Sequence, residues 1–352
     1  MVLASNGSYA QDFVLPIGGT PFEDWTIVKY LDLYGSSNVI DLQGGAHIYN
    51  GHNAIDRRTI EARVNGTLLF TDNFKVENSS LVCDGKAVTV NIGLGQLPTS
   101  GDDVILGTNN AETINAIAGD DTVCALAGND VVNGGSGSDK IFGGAGDDLL
   151  NGQGQVDYIY GQSGDDRING GVGNDYLLGG SGDDDIRGQS GNDTLEGEGG
   201  VDQFFGGSGD DTIDVGTGGN RGTAQVIRGG GNNDTIIGSN DDDDIEGGAG
   251  LDHVFGKGGD DRIRGNSARD ELFGEGGNDQ IEGGGSPDLL YGGDGNDLLI
   301  GGLGDDMLFG QSGDDTLDGQ GNTDLCDGGT QGEIVGDRLR LAFTCESIVN
   351  IP

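Results

Sequence analysis

The sequence predicts an all-β protein whose larger part is one long array of short structural repeats. Three observations support this fold class. A nine-residue period runs through most of the chain, glycine occurs 74 times in 352 residues, and only 33% of the residues are hydrophobic. Glycine at this frequency without a Gly-X-Y period excludes collagen and indicates many tight turns. The low hydrophobic content indicates that the chain does not build one large apolar core.

The period divides residues 98–214 into thirteen nine-residue units without a break, and residues 229–327 into eleven more. GGAGDDLLN (143–151) and GQSGDDTLD (310–318) are typical units. Position six is Asp in every unit except the one with Glu112, and position eight is aliphatic or aromatic in every unit except the one with Cys326. An acid at one fixed position through the whole array is more than turn propensity explains, because turns accept Asp or Asn at several positions.

These residues and spacings resemble the repeats-in-toxin (RTX, hemolysin-type) calcium-binding family, whose consensus unit is GGxGxDxUx with an apolar residue at U. The resemblance covers about two thirds of the chain. It implies a right-handed parallel β-roll, a β-solenoid in which each unit contributes a turn and a three-residue strand and two units complete one coil. It also implies that Ca²⁺ lies between turns stacked on the same edge of the roll.

The residues themselves are consistent with that arrangement. A short strand with one inward side chain cannot form a stable core alone, so neighbouring units must stack. Inward residues are then expected in two facing sheets, with Ile141, Ile159, Leu177, Leu195 and Ile213 in one and Leu150, Ile168, Ile186 and Phe204 in the other. Glycine at positions one, two and four permits positive φ and lets main-chain carbonyls point into the turn.

Calcium takes six to eight oxygen ligands, which carbonyls and one carboxylate from each of two stacked turns can supply. Without cations the stacked aspartates would repel one another. We expect calcium ligands on one edge at Asp103, Asp121, Asp139, Asp175, Asp193, Asp211, Asp234, Asp252 and Asp306. On the other edge we expect them at Asp130, Asp148, Asp166, Asp184, Asp202, Asp243, Asp261, Asp279, Asp297 and Asp315.

Some turns depart from the consensus. GQGQVD, GNSARD and GGGSPD predict weaker or empty sites around Asp157, Asp270 and Asp288. Residues 215–228 interrupt the array as a bulged loop. Within them GNRGTAQVI (219–227) aligns as one more unit, with Val226 facing inward and Ala224 where the Asp should stand. Glu112 and Ala224 therefore mark expected gaps in the rows of sites.

The net charge of −43 restricts the partners. Residues 1–97 carry ten acids and six bases, so nearly all of the negative charge belongs to the repeats. Such a chain repels nucleic acids and anionic membranes. No apolar stretch of about 18 residues predicts a membrane span, and Met1–Gly19 lacks the pattern of a signal peptide. Calcium ions are the expected partners, with a surface polysaccharide or cell-envelope component as a further expectation for a secreted or cell-surface protein.

Residues 1–97 lie outside the period and are expected to form a small β domain or an N-terminal cap. Strand-like alternation occurs at residues 26–33, 67–70 and 86–92. YNGHNAID (49–56) resembles a fragment of the zinc-binding segment of M23-type metallopeptidases through His52 and Asp56. The chain has no His-x-His, and Ala54 and Arg57 depart from that family's pattern, so His47 would have to supply a third ligand. A degenerate remnant and an unrelated β-cap both remain open.

Four cysteines are compatible with an oxidising compartment, and by proximity we expect Cys83–Cys124 and Cys326–Cys345 bonds; four free thiols are the alternative. The tail CDGGTQGEIVGDRLRLAFTCESI (326–348) resembles the CDGGxGxD…CE ending of many bacterial proteins with these repeats. Residues 328–352 are expected to form a capping segment, with Leu339, Leu341 and Phe343 in a strand.

No complete catalytic constellation is visible in the sequence, so no enzyme activity is expected. The leading hypothesis is an extracellular calcium-binding repeat protein that folds on binding Ca²⁺ and has a structural or adhesive role. One alternative is an auxiliary or degenerate part of a secreted hydrolase, with His52 and Asp56 as vestiges. Another is a polysaccharide- or ice-binding roll, although position three shows no regular Thr or Asn array.

Overall fold

The structure, a computed structural model, describes residues 81–216 and 225–329 in full. Elsewhere it describes only the backbone of short strands between residues 2 and 75 and at residues 345–348. The chain divides into two compact units, Met1–Val82 and Cys83–Pro352.

The first unit contains two small sheets. Strands β1 (Val2–Leu3), β2 (Tyr9–Gln11) and β3 (Tyr30–Leu31) form one, and β4 (Ile40–Gln43), β5 (Arg57–Val64) and β6 (Thr67–Lys75) form the other, which is antiparallel. The strands predicted at residues 26–33 and 67–70 correspond to β3 and β6. The M23-like residues His47, His52 and Asp56 lie outside the described residues.

Strand β7 (Val82–Cys83) contains the boundary between the units, and the second unit continues with β8 (Lys86–Ala87), β9 (Val90–Asn91) and a 3₁₀ turn, η1 (Ile92–Leu94). The strands of the array follow as β10 (Val104–Leu106), β11 (Thr113–Ala118), β12 (Thr122–Ala127), β13 (Val131–Ser136), β14 (Lys140–Ala145), β15 (Leu149–Gly154), β16 (Tyr158–Ser163), β17 (Arg167–Val172), β18 (Tyr176–Ser181), β19 (Asp185–Ser190), β20 (Thr194–Gly199), β21 (Gln203–Ser208), β22 (Thr212–Gly216), β23 (Gln225–Gly231), β24 (Thr235–Ile237), β25 (Asp243–Ala249), β26 (His253–Phe255), β27 (Arg262–Ser267), β28 (Glu271–Gly276), β29 (Gln280–Gly285), β30 (Leu289–Asp294), β31 (Leu298–Leu303), β32 (Met307–Ser312), β33 (Thr316–Gly321), β34 (Asp324–Asp327) and β35 (Cys345–Ile348).

These strands form a parallel β-solenoid of about 13 turns, as the sequence predicts. The even-numbered strands from β10 to β34, with β9 and β35 at the ends, make one sheet of 15 strands. The odd-numbered strands from β11 to β33 make a second sheet of 12 strands. Regular neighbours pair with an offset of 18 residues, as in Ile141 with Ile159, so two units complete one coil.

The core is the column of position-eight side chains between the two sheets. All nine inward residues predicted above are fully buried. Most strands are six residues long rather than three, since they run from position seven to position three of the next unit. The pairing skips position one, as in β14, where Phe142 and Gly144 pair but Gly143 does not. The chain bends there, so that position one also faces inward, and Ala116 and Ala125 at this position are buried.

The expected reason for glycine is correct at positions two and four and wrong at position one. Gly135 and Gly137, at positions two and four of one unit, have φ of 113° and 132°. Position-one glycines such as Gly134 do not have positive φ. Space favours glycine there, because a Cβ on Gly134 would lie 2.3 Å from Oδ2 of Asp139 in the same unit.

The register of the interrupting unit differs from the prediction by one residue. Ile227, and not Val226, pairs with Phe204 and is buried, and Gln225, not Ala224, stands at position six beside Asp243. Asp211 and Asp234, on either side of the interruption, are 23 residues apart instead of 18. The insertion is thus five residues, all before Gln225. Both Val226 and Ile227 are apolar, so hydrophobicity alone could not fix the register.

The start of the roll is fastened to its outer surface. Cys83 forms the predicted disulfide with Cys124 of β12. The same hairpin places Lys86 Nζ 2.8 Å from Thr122 Oγ1 and Asp84 Oδ2 2.7 Å from Lys140 Nζ. At the other end β35 pairs in parallel with β34. Cys326 is disulfide-bonded; its predicted partner side chain, Cys345, and the predicted strand through Leu339 and Phe343 lie outside the described residues.

Candidate metal centres along the edges of the roll

The position-six aspartates form two columns, one along the N-terminal ends of the strands of each sheet. The structure brings together all the predicted ligands in the two rows given above, and Asp157, Asp270, Asp288 and Asp324 join the row that contains Asp139. Every one of these carboxylates is buried, with at most 7% of the residue exposed. They are held there because the strand that follows each Asp fixes its backbone against the next coil.

One carboxylate oxygen of each aspartate holds the stack in register. The Asp166 N–H donates to Oδ1 of Asp184 at 2.8 Å, and the Asp184 N–H donates to Oδ1 of Asp202 at 2.9 Å. The same bond recurs along the other column, from the Asp139 N–H to Oδ1 of Asp157 at 2.8 Å. These bonds tie each coil to the next one along the chain.

The second oxygen, Oδ2, lacks a hydrogen-bond partner throughout the regular turns. Among the described residues this holds for Asp121, Asp130, Asp139, Asp148, Asp157, Asp166, Asp175, Asp184, Asp193, Asp202, Asp211, Asp234, Asp252, Asp261, Asp270, Asp279, Asp288, Asp297 and Asp306. A buried carboxylate oxygen with no donor is costly unless a cation or a proton compensates it. An entire column of such atoms therefore points to bound cations.

The surroundings of Oδ2 suit calcium. A Cβ built on Gly161 would lie 2.3 Å from Asp166 Oδ2 and 2.5 Å from the Gly179 carbonyl oxygen of the next coil. The carboxylate and the carbonyl thus converge on one space that glycine leaves open. Equivalent pairs are Asp148 Oδ2 with the Gly161 carbonyl, and Asp193 Oδ2 with the Gly206 carbonyl. Carboxylate and main-chain carbonyl oxygens are the ligands that Ca²⁺ prefers.

No group of three or more His, Cys, Asp or Glu side chains within residues 81–216 and 225–329 is placed to hold a metal ion. This agrees with the arrangement of the columns. Each turn contributes one carboxylate, and successive turns are separated by the spacing of neighbouring strands, about 4.8 Å. The remaining ligands of each cation would therefore be main-chain carbonyls.

Burial raises the pKa of the column aspartates. Loss of hydration raises the pKa of Asp157 and Asp184 to about 8 and that of Asp261 to about 9. The neighbouring carboxylates add to this effect, whereas the N–H bond to Oδ1 opposes it. The anionic form is therefore unfavourable without a counter-charge, and a bound cation supplies one.

A second hydrogen-bonded column, at position five, was not predicted from the sequence. Its side chains are exposed and its bonds run in the opposite direction along the stack. The Asp165 N–H donates to Asp147 Oδ1 at 3.1 Å, and the Asp183 N–H donates to Asp165 Oδ1 at 2.9 Å. The signal in the sequence is the Asp or Asn that usually precedes the position-six Asp. These residues line an open groove of about 570 Å³ that runs along the Asp148 column.

The turns predicted to bind calcium weakly differ from regular turns in the hydrogen bonds of the position-five column and in the backbone conformation at position four. Asp157, Asp270 and Asp288 are buried like their neighbours. However, Val156, Arg269 and Pro287 before them have no carboxylate or amide oxygen to accept a bond from the next coil. At position four, Ala268 and Ser286 have φ of 77° and 102°. Glycines at this position, such as Gly137 and Gly173, have φ of 132° and 154°.

Comparison with known proteins agrees with this geometry. A family model described as RTX calcium-binding nonapeptide repeat matches the chain in overlapping copies that together span residues 125–331, more than half of the chain. Repeats of that family bind Ca²⁺ at multiple sites. A search among curated proteins finds no significant match.

Proposed function

Since the chain belongs to the RTX calcium-binding nonapeptide repeat family, we propose that it is an extracellular protein whose roll folds as Ca²⁺ binds between stacked turns. The observation that carries this proposal is the column of buried Oδ2 atoms that have no partner among the described residues. The predicted ligands from Asp103 to Asp315 are proposed as members of these sites, one carboxylate per turn.

Folding and metal binding are proposed to be linked. Each coil buries only two position-eight side chains, one in each sheet, such as Ile159 and Ile168. The same coil confines two acidic groups in a dry environment, which disfavours the folded form when no cation is present. The free energy of calcium binding to the folded state then adds to the free energy of folding. Site affinities on the order of 10⁻⁴–10⁻³ M, as in extracellular modules, would keep the protein unfolded inside a cell and folded outside.

The proposed biological role is structural or adhesive rather than catalytic. Repeats of this family are generally structural. We propose residues 98–327 as the calcium-binding roll, with residues 1–97 and 328–352 as N-terminal and C-terminal segments. No helix among the described residues is long and apolar enough to cross a membrane. The hydrolase alternative rests on His52 and Asp56, which the structure does not describe, so nothing specific favours it.

The outer faces of the roll give little support to a polysaccharide platform. Phe255, Phe273, Tyr291 and Phe309 form a column of rings with centroids 4.8–5.0 Å apart. Within this column the ring faces cover one another, whereas sugar recognition by stacking needs open faces. The column instead adds a stacking contact between coils.

A calcium titration followed by circular dichroism, with the bound metal counted at saturation, tests the proposal. We expect a largely unordered spectrum in chelator, a cooperative gain of β-structure with Ca²⁺, and a poor response to Mg²⁺, which prefers a smaller octahedral site and retains its waters. A β-rich spectrum in chelator that does not change with calcium would contradict linked folding.

A further inference from the structure

Three turns of the roll satisfy their position-six carboxylate with groups of the protein itself. They are the three units that carry a hydroxyl at position two, namely Thr99, Thr108 and Ser239. The regular units have glycine or a residue without a hydroxyl there, such as Gln162.

The hydroxyl and the main-chain N–H at position two both donate to the carboxylate. The Ser239 N–H lies 2.7 Å and its Oγ 3.1 Å from Asp243 Oδ2. The Thr99 N–H lies 2.7 Å and its Oγ1 2.9 Å from Asp103 Oδ2. Thr108 makes the corresponding pair of bonds to Glu112, with Oγ1 2.7 Å from Oε2. In the turns of Asp103 and Asp243 the oxygen that regular turns leave without a partner therefore has two donors, and at Glu112 each carboxylate oxygen has one.

Such donors compete with a cation for the same oxygen. Asp184, on the same edge as Asp243, offers an Oδ2 atom with no partner among the described residues. At Asp243 the Oδ2 atom accepts a hydrogen bond from the Ser239 N–H. This N–H cannot serve as a metal ligand because it has no lone pair to give. Ser239 is completely buried, so water does not replace the bonds it makes.

The positions of these turns in the roll are not random. Thr99 and Thr108 belong to the two turns of the first coil, one on each edge, and this coil precedes residue 125, where the family match begins. Ser239 follows the interrupting unit on the same edge. In that unit Val215 takes the place of the position-one glycine and Gln225 that of the aspartate, and both are buried. Two successive turns on this edge therefore lack an aspartate oxygen free for a cation.

We propose that a hydroxyl at position two replaces calcium in these turns, so that they are metal-independent elements of an otherwise calcium-dependent roll. This inference rests on the proposed function, and it removes Asp103 and Asp243 from the expected set of ligands. The first coil then provides a preformed end on which the calcium-dependent coils assemble. The turns at Gln225 and Asp243 divide one row of cations into a part that ends at Asp202 and a part that starts at Asp261.

Counting bound calcium in full-length variants tests the inference. Asp243→Asn and Asp184→Asn remove the same charge on the same edge and keep the shape of the side chain. At saturating calcium, equilibrium dialysis should show at least one ion fewer for Asp184→Asn and the wild-type number for Asp243→Asn. Ser239→Ala should also keep the wild-type number but lower the denaturant midpoint in calcium, and Ser239→Thr should restore that midpoint.

The outcomes separate the two proposals. Wild-type protein that binds no calcium would overturn the proposed function together with this inference. Wild-type binding accompanied by an equal loss of ions in Asp243→Asn and Asp184→Asn would overturn only this inference. A changed ion number in Ser239→Ala, measured on protein with a folded spectrum, would do the same.

Discussion

The position-one glycine offers the sharpest test of where the cations lie. In Gly161→Ala the added methyl carbon would start 2.3 Å from Asp166 Oδ2 and 2.5 Å from the Gly179 carbonyl oxygen. Both distances are far below a normal carbon–oxygen contact, so the carboxylate and the carbonyl would have to move away from the methyl group. The methyl would thus displace the two oxygens that are proposed as ligands of one ion. Ala116 and Ala125 hold this position in the turns of Asp121 and Asp130, so a turn with alanine can fold. By the same reasoning we expect those two turns to bind calcium less well than the glycine turns.

The expected loss follows from binding linkage. A site that binds Ca²⁺ with a dissociation constant on the order of 10⁻⁴–10⁻³ M, in about 10 mM calcium, contributes about 1.4–2.7 kcal/mol to the folded state. Losing one site should therefore lower the free energy of unfolding by about that amount in calcium. In chelator, where the chain is expected to be largely unordered, the substitution should have little effect on the spectrum.

Denaturant unfolding at high calcium, together with metal counting, measures both quantities. Gly154→Ala is the matched control, because at position three an added Cβ meets only the Gly135 carbonyl oxygen, at 3.7 Å. We expect the control to bind the wild-type number of ions and Gly161→Ala to bind at least one fewer. An unchanged ion number and midpoint in Gly161→Ala would show that the oxygens beside position one do not bind the cations.

Four further predictions concern the acidic columns and the N-terminal end of the roll. Burial raises the pKa of aspartates such as Asp184 to about 8 in the folded chain, against about 4 in the unfolded chain. The calcium-free roll should therefore be most ordered below about pH 4 and should lose that order as the pH rises toward 8. Circular dichroism in chelator measures this change. Protons compete for the same oxygens, so the calcium midpoint measured by titration should rise as pH falls from 8 to 5. Asp270→Asn should remove less bound calcium than Asp279→Asn, because its turn lacks the glycine and the outer hydrogen bond of a regular turn; equal losses would contradict the proposed weakness. Removing the Cys83–Cys124 bond, which spans 41 residues, should destabilise the roll by roughly 4 kcal/mol in the chain-entropy description. Amide hydrogen exchange should then increase first near β12. Uniform exchange along the roll would argue against a role of this bond in stabilising the N-terminal end.

The two inner columns and the two acidic edges could be predicted from the sequence, once the resemblance to the RTX family implied two units in each coil. Each depends on a side chain whose chemistry permits one placement. An aliphatic residue recurring every nine positions must be buried, as Ile159 and Ile168 are. A strictly recurring Asp between glycines must face a common partner. Because the period has a fixed length, the location inferred for one position of the repeat applies to the same position in every unit.

The remaining features depend on contacts between coils, which a linear pattern does not contain. Gly161 looks like a turn glycine, yet its function is to leave space for an atom of the next coil. The hydroxyl of Ser239 is one residue type among many at a variable position until the structure places it against Asp243. The register after the insertion was missed by one residue because Val226 and Ile227 are equally apolar.

The two hydrogen-bonded columns, taken together, show why position six must carry a charge. At position five Asp and Asn alternate freely, as in Asp165 and Asn192, and both accept the N–H of the neighbouring coil through Oδ1. Position six makes the same kind of bond with the same atom, yet Asn never occurs there in the array. Register alone therefore cannot account for the aspartate. What Asn lacks is the second anionic oxygen, and that is the buried atom without a donor in the regular turns. A ligand that needs this oxygen and its charge, and that fits beside a position-one glycine, is a calcium ion.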